Sequence, residues 1–147
     1  MNKIGVIFMF ELNDSLSFLL SKCNQKAFAL SQERLSEFTL TPEQAVALTY
    51  LFKKDGINQL QLGEMIQKDR TTISGIVNKL ENQGYVRKGI NPSDKRSSSI
   101  YVTEKAFAIK DALLEQAVEV NEFLSKDLTN EEKEFLIATL KKLRNSN

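Results

Sequence analysis

The sequence predicts a mainly α-helical chain with one small β-hairpin, an α+β arrangement that has helices at both ends. Apolar residues recur at three- and four-residue steps over most of the 147 residues, and only six Gly and two Pro interrupt them. Around residues 85–102 the period changes to two, on both sides of a turn-forming segment. This length, with 41% apolar content, suits one domain, or one domain with an extension that needs a partner.

An apolar run at residues 4–10 opens the chain, and Glu11 and Asp14 follow it. The run is too short to cross a membrane, and it lacks the cleavage site of a signal peptide. We therefore expect an arm that packs on another surface, such as a partner subunit. Residues 12–38 then repeat apolar side chains at helical spacing without Pro or Gly, which predicts one long helix.

The second helix has a clear start. Thr41 is its cap, Pro42 suits the first helical position, and Gln44 completes a capping box. Beyond the end of this helix, Ile57 and Asn58 are expected to add a third, very short strand to the sheet of the hairpin.

Two short helices joined by a tight turn are predicted over residues 60–84. The first has one apolar face, to which Leu62 belongs. Asp69 is a good N-cap for the second helix, and Gly84 is a suitable C-cap. The apolar residues of the second helix recur at i, i+3, i+4 and i+7, namely Ile73, Ile76, Val77 and Leu80.

The opposite side of this second helix is the informative one. At about 100° per residue, it collects short hydroxyl and amide side chains, a glycine and cations. Such a face lets a helix enter a DNA major groove and read base edges, although an αα-hairpin with a polar outer face is the competing interpretation. Asn78 is the best candidate for an adenine edge. The candidate DNA contacts are Arg70, Thr71, Thr72, Ser74, Gly75, Asn78 and Lys79.

The hairpin has predicted strands at residues 85–90 and 97–102 around a turn at 91–96. A hairpin directly after such a helix pair is a wing, and a cationic tip of this size fits a minor groove. We expect Arg96 to enter the minor groove and Asp94 to orient it through a charge-assisted pair, while the other cations contact phosphates. A charged, exposed loop is the alternative. The candidate wing residues are Arg87, Lys88, Asp94, Lys95 and Arg96.

Two more helices are predicted in the C-terminal part. Thr103 caps the first, which runs to about residue 126 and has an apolar stripe wide enough for two packing surfaces. Thr129 and Glu132 form a capping box for the last helix, whose apolar side includes Leu136. Long terminal helices with broad apolar faces must bury them somewhere, and one side of the wide stripe suits contact with another chain.

Two segments of the chain resemble a known family. The helix-turn-helix of MarR-family (multiple antibiotic resistance regulator type) transcription factors is similar to LGEMIQKDRTTISGIVNKLENQGYVRK. Their wing is similar to DKRSSSIYVTEKA, in which Asp94 and Arg96 match an Asp-x-Arg pattern and Val102-Thr103 opens the next helix. The resemblance covers nearly the whole chain.

The resemblance implies one domain over residues 1–147. Within it, residues 41–102 would form a winged helix-turn-helix DNA-binding module, and residues 1–38 and 103–147 would form the dimerisation helices. The charge distribution agrees with this division, because residues 59–102 hold seven Lys and Arg against four Asp and Glu although the chain's net charge is +1.

The predicted function is that of a cytoplasmic, sequence-specific regulator of transcription that binds double-stranded DNA. We expect a ligand-responsive repressor that acts as a homodimer on a pseudo-palindrome with half-sites about 10 bp apart. The alternative is a winged-helix module for protein interaction or RNA binding. An enzyme is disfavoured, because a chain with no His and one Cys lacks the usual groups for acid–base chemistry and metal binding. We expect no metal and no cofactor.

The resemblance also implies an effector. Many relatives bind small aromatic or phenolic ligands in a cleft between the dimerisation and DNA-reading regions, and others sense oxidants through a cysteine. Cys23 is the single thiol and the candidate redox sensor. It lies on the apolar stripe of the first helix, however, which favours a small core residue.

Overall fold

The protein is described by a computed structural model of residues 11–146. Short 3₁₀ turns at Leu12–Asp14 and Ser36–Phe38 flank the first helix, which is therefore shorter than the predicted 12–38. The apolar run at 4–10 lies outside the described residues. The mainly α-helical fold with a small β wing is confirmed. In chain order, the elements are α1 (Leu16–Leu35), α2 (Pro42–Lys53), α3 (Gln59–Ile66), α4 (Arg70–Asn82), β1 (Val86–Ile90), β2 (Ser98–Val102), α5 (Glu104–Leu124) and α6 (Asn130–Asn145).

Local capping determines where most helices begin. Thr41 Oγ1 accepts a hydrogen bond from the Gln44 N–H at 3.3 Å, and Gln44 Oε1 accepts one from the Thr41 N–H at 3.0 Å, as predicted. Thr129 forms the same reciprocal box with Glu132, which is also confirmed. Asn58 forms a third box, not predicted, at the start of α3. These bonds satisfy N–H groups that a helix start otherwise leaves unpaired.

The core lies between α2, α3, α4, the sheet and the first half of α5. The predicted apolar side of α4 is buried, with Val77 and Leu80 fully enclosed. Burial of this stripe holds α4 against the domain and leaves its other side outward. The largest fully enclosed side chains are Leu48, Leu51, Leu62, Ile73, Leu80, Ile100, Val77 and Ser99.

The wing is an antiparallel pair of strands in which Val86 lies opposite Val102. The predicted third strand at Ile57 and Asn58 is reduced to a single bridge at Ile57, because Asn58 caps α3 instead. The Ile57 carbonyl accepts from the Ile100 N–H at 2.7 Å, and the Gly56 N–H donates to the Ile100 carbonyl at 2.9 Å. The base of the wing is thus hydrogen-bonded to the α2–α3 connection, which fixes the wing beside α4.

The terminal helices leave large apolar surfaces uncovered. α1 packs on α5, where Arg34 pairs with Glu119 at 2.9 Å. Phe135 on α6 is 75% exposed and Leu16 on α1 is 58% exposed. Cys23 is exposed as well, so the expectation that it is a core residue is wrong for the single chain: α1 has no cover on that side among the described residues. No helix within residues 11–146 is long and apolar enough to cross a membrane.

Candidate nucleic-acid interface

The turn between α3 and α4 sets the position of the predicted recognition helix. Gln67 ends α3 in the left-handed region, at φ 55°, and Asp69 Oδ1 then accepts a hydrogen bond from the Thr72 N–H at 2.7 Å. That bond stabilises the carboxylate and lowers the pKa of Asp69. Gly63 lets the two helices approach, because a Cβ there would lie 3.1 Å from the Lys68 carbonyl oxygen.

The outer side of α4 is the polar face expected from the sequence. Arg70, Thr71, Gly75, Asn78 and Lys79 are exposed, and Thr72 and Ser74 are half-buried at its edges. Apart from its two chain neighbours and the backbone of its own helix, no described atom lies within 4 Å of the position that a Cβ on Gly75 would occupy. The helix backbone can therefore come close to a surface such as the floor of a major groove.

The tip of the wing is exposed and cationic, but its internal bonds differ from those predicted. Asp94 Oδ1 accepts a hydrogen bond from the backbone N–H of Arg96 at 3.0 Å. The predicted charge-assisted pair between the two side chains is wrong for this structure, since no ion pair among residues 11–146 joins them. The carboxylate shapes the turn instead, and the Arg96 guanidinium remains available for an anion.

The two cations of β1 have different environments. Arg87 stacks on the Tyr101 ring, with its Cζ 4.5 Å from the ring centroid. Lys88, predicted to contact phosphate, is half-buried in the free chain, where its Nζ lies 2.8 Å from Asn78 Oδ1 and 3.3 Å from Glu81 Oε2. Of these two cations, Arg87 is therefore the exposed one.

Tyr101 is a structural residue of the wing that the sequence reasoning missed. A Cβ on Gly89 would lie 2.9 Å from Cε2 of the Tyr101 ring, so only glycine leaves room for the ring at that position. Pairing the two strands in register would have identified it, because Tyr101 then lies opposite Arg87 and diagonal to Gly89. The ring in turn holds the Arg87 guanidinium.

A groove of about 810 Å³ separates the start of α4 from the wing. Lys68 and Arg70 line one wall, and Arg96 lines the other. Cations facing each other across a groove suit a polyanion that passes between them. Sequence reasoning had placed Arg70 and Arg96 separately, and the fold brings both to this groove.

A second cavity, of about 510 Å³, lies between α1, α2 and α5. Its lining is mostly apolar, and Arg34 and Lys53 contribute cations. Gln116 also lines it. Its Nε2 donates to Glu37 at 3.2 Å, whereas its Oε1 is buried without a partner among the described residues. A cavity of this size with a few polar groups is typical of a small-molecule site.

The chain is similar to known regulators. Residues 40–98 match the sequence profile of the MarR family. The chain is 31% identical to YybA of Bacillus subtilis (strain 168), an uncharacterized HTH-type transcriptional regulator, over 79% of this chain and 77% of YybA. It is 27% identical to the HTH-type transcriptional repressor NicR of Pseudomonas putida, over 93% of this chain and 87% of NicR. Among solved structures, a mutant MarR from E. coli complexed with operator DNA aligns with a TM-score of 0.84 and 26% identity, over 92% of this chain and 97% of that one.

Proposed function

The chain belongs to the MarR family of transcriptional regulators, and we propose that it is a repressor that binds operator DNA as a homodimer. The observation that carries the proposal is the exposed polar face of α4 beside a cationic wing. A regulator is not an enzyme, which agrees with the expectation from the sequence. We also propose that the protein acts in the cytoplasm, where it meets the DNA that it binds.

In the proposed complex, α4 lies in the major groove and the wing tip reaches the adjacent minor groove. Arg70 and Arg96 border the groove through which the sugar–phosphate backbone would pass. The MarR structure with operator DNA supports double-stranded DNA as the target. The RNA-binding alternative fits less well, because the major groove of an RNA duplex is too narrow to admit a helix.

The exposed apolar faces of α1, α5 and α6 support a homodimer. An isologous dimer would cover these faces and carry two copies of α4. The two copies would enter successive major grooves, so the operator should be a pseudo-palindrome with half-site centres about 10 bp apart. The apolar side chains available for this interface include Leu12, Leu16, Leu19, Leu20, Phe107, Leu114, Val118, Phe135, Leu136, Ile137, Leu140 and Leu143.

Selection from randomised DNA duplexes tests operator binding directly. We expect the full-length protein to enrich a two-fold symmetric motif, and the ratio of specific to non-specific affinity to be about a thousand or more. Enrichment of an asymmetric half-site by a monomer, or equal retention of all duplexes, would contradict the proposal.

We further propose that the 510 Å³ cavity binds an aromatic or phenolic effector that releases the operator. The apolar walls suit an aromatic ring, and Lys53 suits a carboxylate or phenolate on it, whereas Arg34 is already paired with Glu119. The cavity lies between α1, which belongs to the proposed dimer region, and α2, which belongs to the proposed DNA module. A ligand there can change their relative position and so the spacing of the two α4 helices.

Thermal-shift screening of simple aromatic acids and phenols tests the effector proposal. A ligand that binds the cavity should raise the melting temperature, because it stabilises the folded state. It should also weaken operator binding, because the two binding sites are coupled. The variant Val46→Trp, which fills the cavity from its rim, should abolish both effects and leave operator affinity unchanged. Retention of both effects by this variant would place the ligand elsewhere.

A further inference from the structure

Lys88 reaches from β1 back to the outer face of α4. Its ammonium lies 2.8 Å from Asn78 Oδ1 and 3.3 Å from Glu81 Oε2, and Asn78 and Glu81 are neighbours one turn apart on α4. This is a contact between the wing and the recognition helix at the position that the sequence marked as the best base-reading residue.

The contact determines which end of the Asn78 amide faces outward. An ammonium group has three donors and no acceptor, so the Asn78 atom that meets it must be the carbonyl oxygen. Asn78 makes no other side-chain hydrogen bond among the described residues. Its NH₂ group, with two N–H donors, is therefore the part that a base edge would meet.

Two outward donors favour some bases over others. In the major groove, guanine presents two acceptors, O6 and N7, whereas adenine has an amino donor beside its N7 acceptor, thymine presents one acceptor and cytosine presents an amino donor. The usual contact of Asn with adenine needs the amide oxygen to accept from the adenine amino group. Lys88 occupies that oxygen and places a positive charge beside it, which disfavours the approach of another donor.

We propose that Lys88, held by Glu81, orients the Asn78 amide so that this position of α4 selects guanine, which presents two acceptors, over adenine, whose amino donor needs the amide oxygen. Lys88 is thus a positioning residue that determines specificity. The inference replaces the adenine contact expected from the sequence, and it rests on the proposed operator binding.

Selection from randomised duplexes with matched variants tests the inference. Asn78→Ala identifies the symmetric position that Asn78 reads, because base preference is lost there. At that position we expect the full-length protein to prefer a G·C pair over an A·T pair about tenfold. Lys88→Met keeps the apolar stem but frees the amide to rotate, so its preference should move to adenine. Glu81→Gln, which removes the counter-charge of Lys88, should move it in the same direction.

Arg87→Met is the matched control, because it removes the neighbouring cation of the same strand, whose guanidinium stacks on Tyr101 while Lys88 bonds Asn78. It should weaken binding to all duplexes without changing base preference. The inference is overturned if Lys88→Met behaves like this control, with unchanged preference and a smaller salt dependence, since Lys88 would then be a phosphate contact. Selection of an A·T pair by the unmodified protein at the same position also overturns it. If the unmodified protein enriches no motif, that result contradicts the proposed operator binding itself.

Discussion

At the scale of single residues, the outer face of α4 is defined by short side chains. Gly75 has open space where a Cβ would lie, and its neighbours Thr71 and Asn78 are exposed. Glycine in the interior of an exposed helix is destabilising by roughly 0.5–1 kcal/mol relative to alanine. Its presence here is therefore best explained by the close approach of another surface.

The substitution Gly75→Ala separates stability from function. We expect it to raise the free energy of unfolding by up to about 1 kcal/mol, because alanine is the better helix former and no described atom blocks the new methyl. The same methyl would press on base edges and lower operator affinity about tenfold. Urea unfolding and gel-shift titration measure the two effects. Ser21→Ala in α1 is the control, and it should not weaken binding. Unchanged affinity of Gly75→Ala would argue against α4 as the groove-contacting helix.

The substitution Arg96→Ala tests the wing tip. The guanidinium has no partner within the turn, because Asp94 bonds the backbone N–H instead, so its loss should leave the fold intact. We expect weaker operator binding and a slope of log affinity against log salt that falls by about one per subunit. Lys141→Ala, which makes the same charge change at the far end of α6, should alter neither quantity. Equal slopes for Arg96→Ala and the unmodified protein would refute the wing assignment.

Residue identities alone predicted which side chains lie on the outer face of α4 and at the wing, because helical and strand periods assign each residue to a side. They did not predict the bond between Lys88 and Asn78. That bond joins a strand to a helix, and its geometry depends on how the wing is anchored at Ile57, which no local pattern specifies.

At the scale of the elements, the polar residue before each of α2 to α6 sets where the helix begins. Thr41, Asp69, Thr103 and Thr129 were readable from the sequence, since each precedes an apolar-periodic segment. The box at Asn58 was missed, although an Asn followed three residues later by Gln is the same signal. This box is missed because the sequence pattern predicts Asn58 to lie in a short strand. The start of α4 matters most, since it places Arg70 and Thr71 at the groove.

The cap of α4 gives a pH-dependent prediction. Because the pKa of Asp69 is lower in the folded protein than its usual 3.8, its stabilisation is present above that value and is lost as pH falls through the folded pKa. Asp69→Ala should therefore lower the free energy of unfolding near neutral pH, and the difference from the unmodified protein should vanish in acid. Urea unfolding at several pH values measures this difference.

Thr41→Ala is the matched control for the Asp69 cap, because its hydroxyl does not titrate. It should cost about 1 kcal/mol at every pH. If Asp69→Ala also lowers the free energy of unfolding by the same amount at every pH, the carboxylate does not stabilise α4 through its charge.

At the scale of the whole molecule, the terminal helices have apolar sides that the rest of residues 11–146 leaves exposed. The sequence predicted broad apolar stripes on these helices, but it could not indicate which stripes the chain covers by itself. Cys23 illustrates the limit, because an apolar period is the same for a residue buried in the subunit and for one that faces a partner. The two sides of α5 show both cases: Leu113 is buried, whereas Val118 is 55% exposed.

The substitution Leu140→Asp tests the proposed dimer. Leu140 is 38% exposed on α6 and contributes to no fully buried core, so the single chain should still fold. A carboxylate in the apolar interface should raise the dimer dissociation constant about a hundredfold, because a buried unpaired charge is costly. Leu60→Asp, at a 68% exposed position of α3, is the control that should remain dimeric. Sedimentation velocity measures both, and an unchanged dimer in Leu140→Asp would exclude α6 from the interface.

Methylation interference on a selected operator tests the central claim most directly, because guanine N7 lies in the major groove and adenine N3 in the minor groove. If α4 reads the major groove in a homodimer, methylation of guanine N7 should block binding in two patches about 10 bp apart. Methylation of adenine N3 should interfere beside each patch, where the wings reach. Interference by adenine N3 alone, or by guanine N7 in a single patch, would contradict the claim.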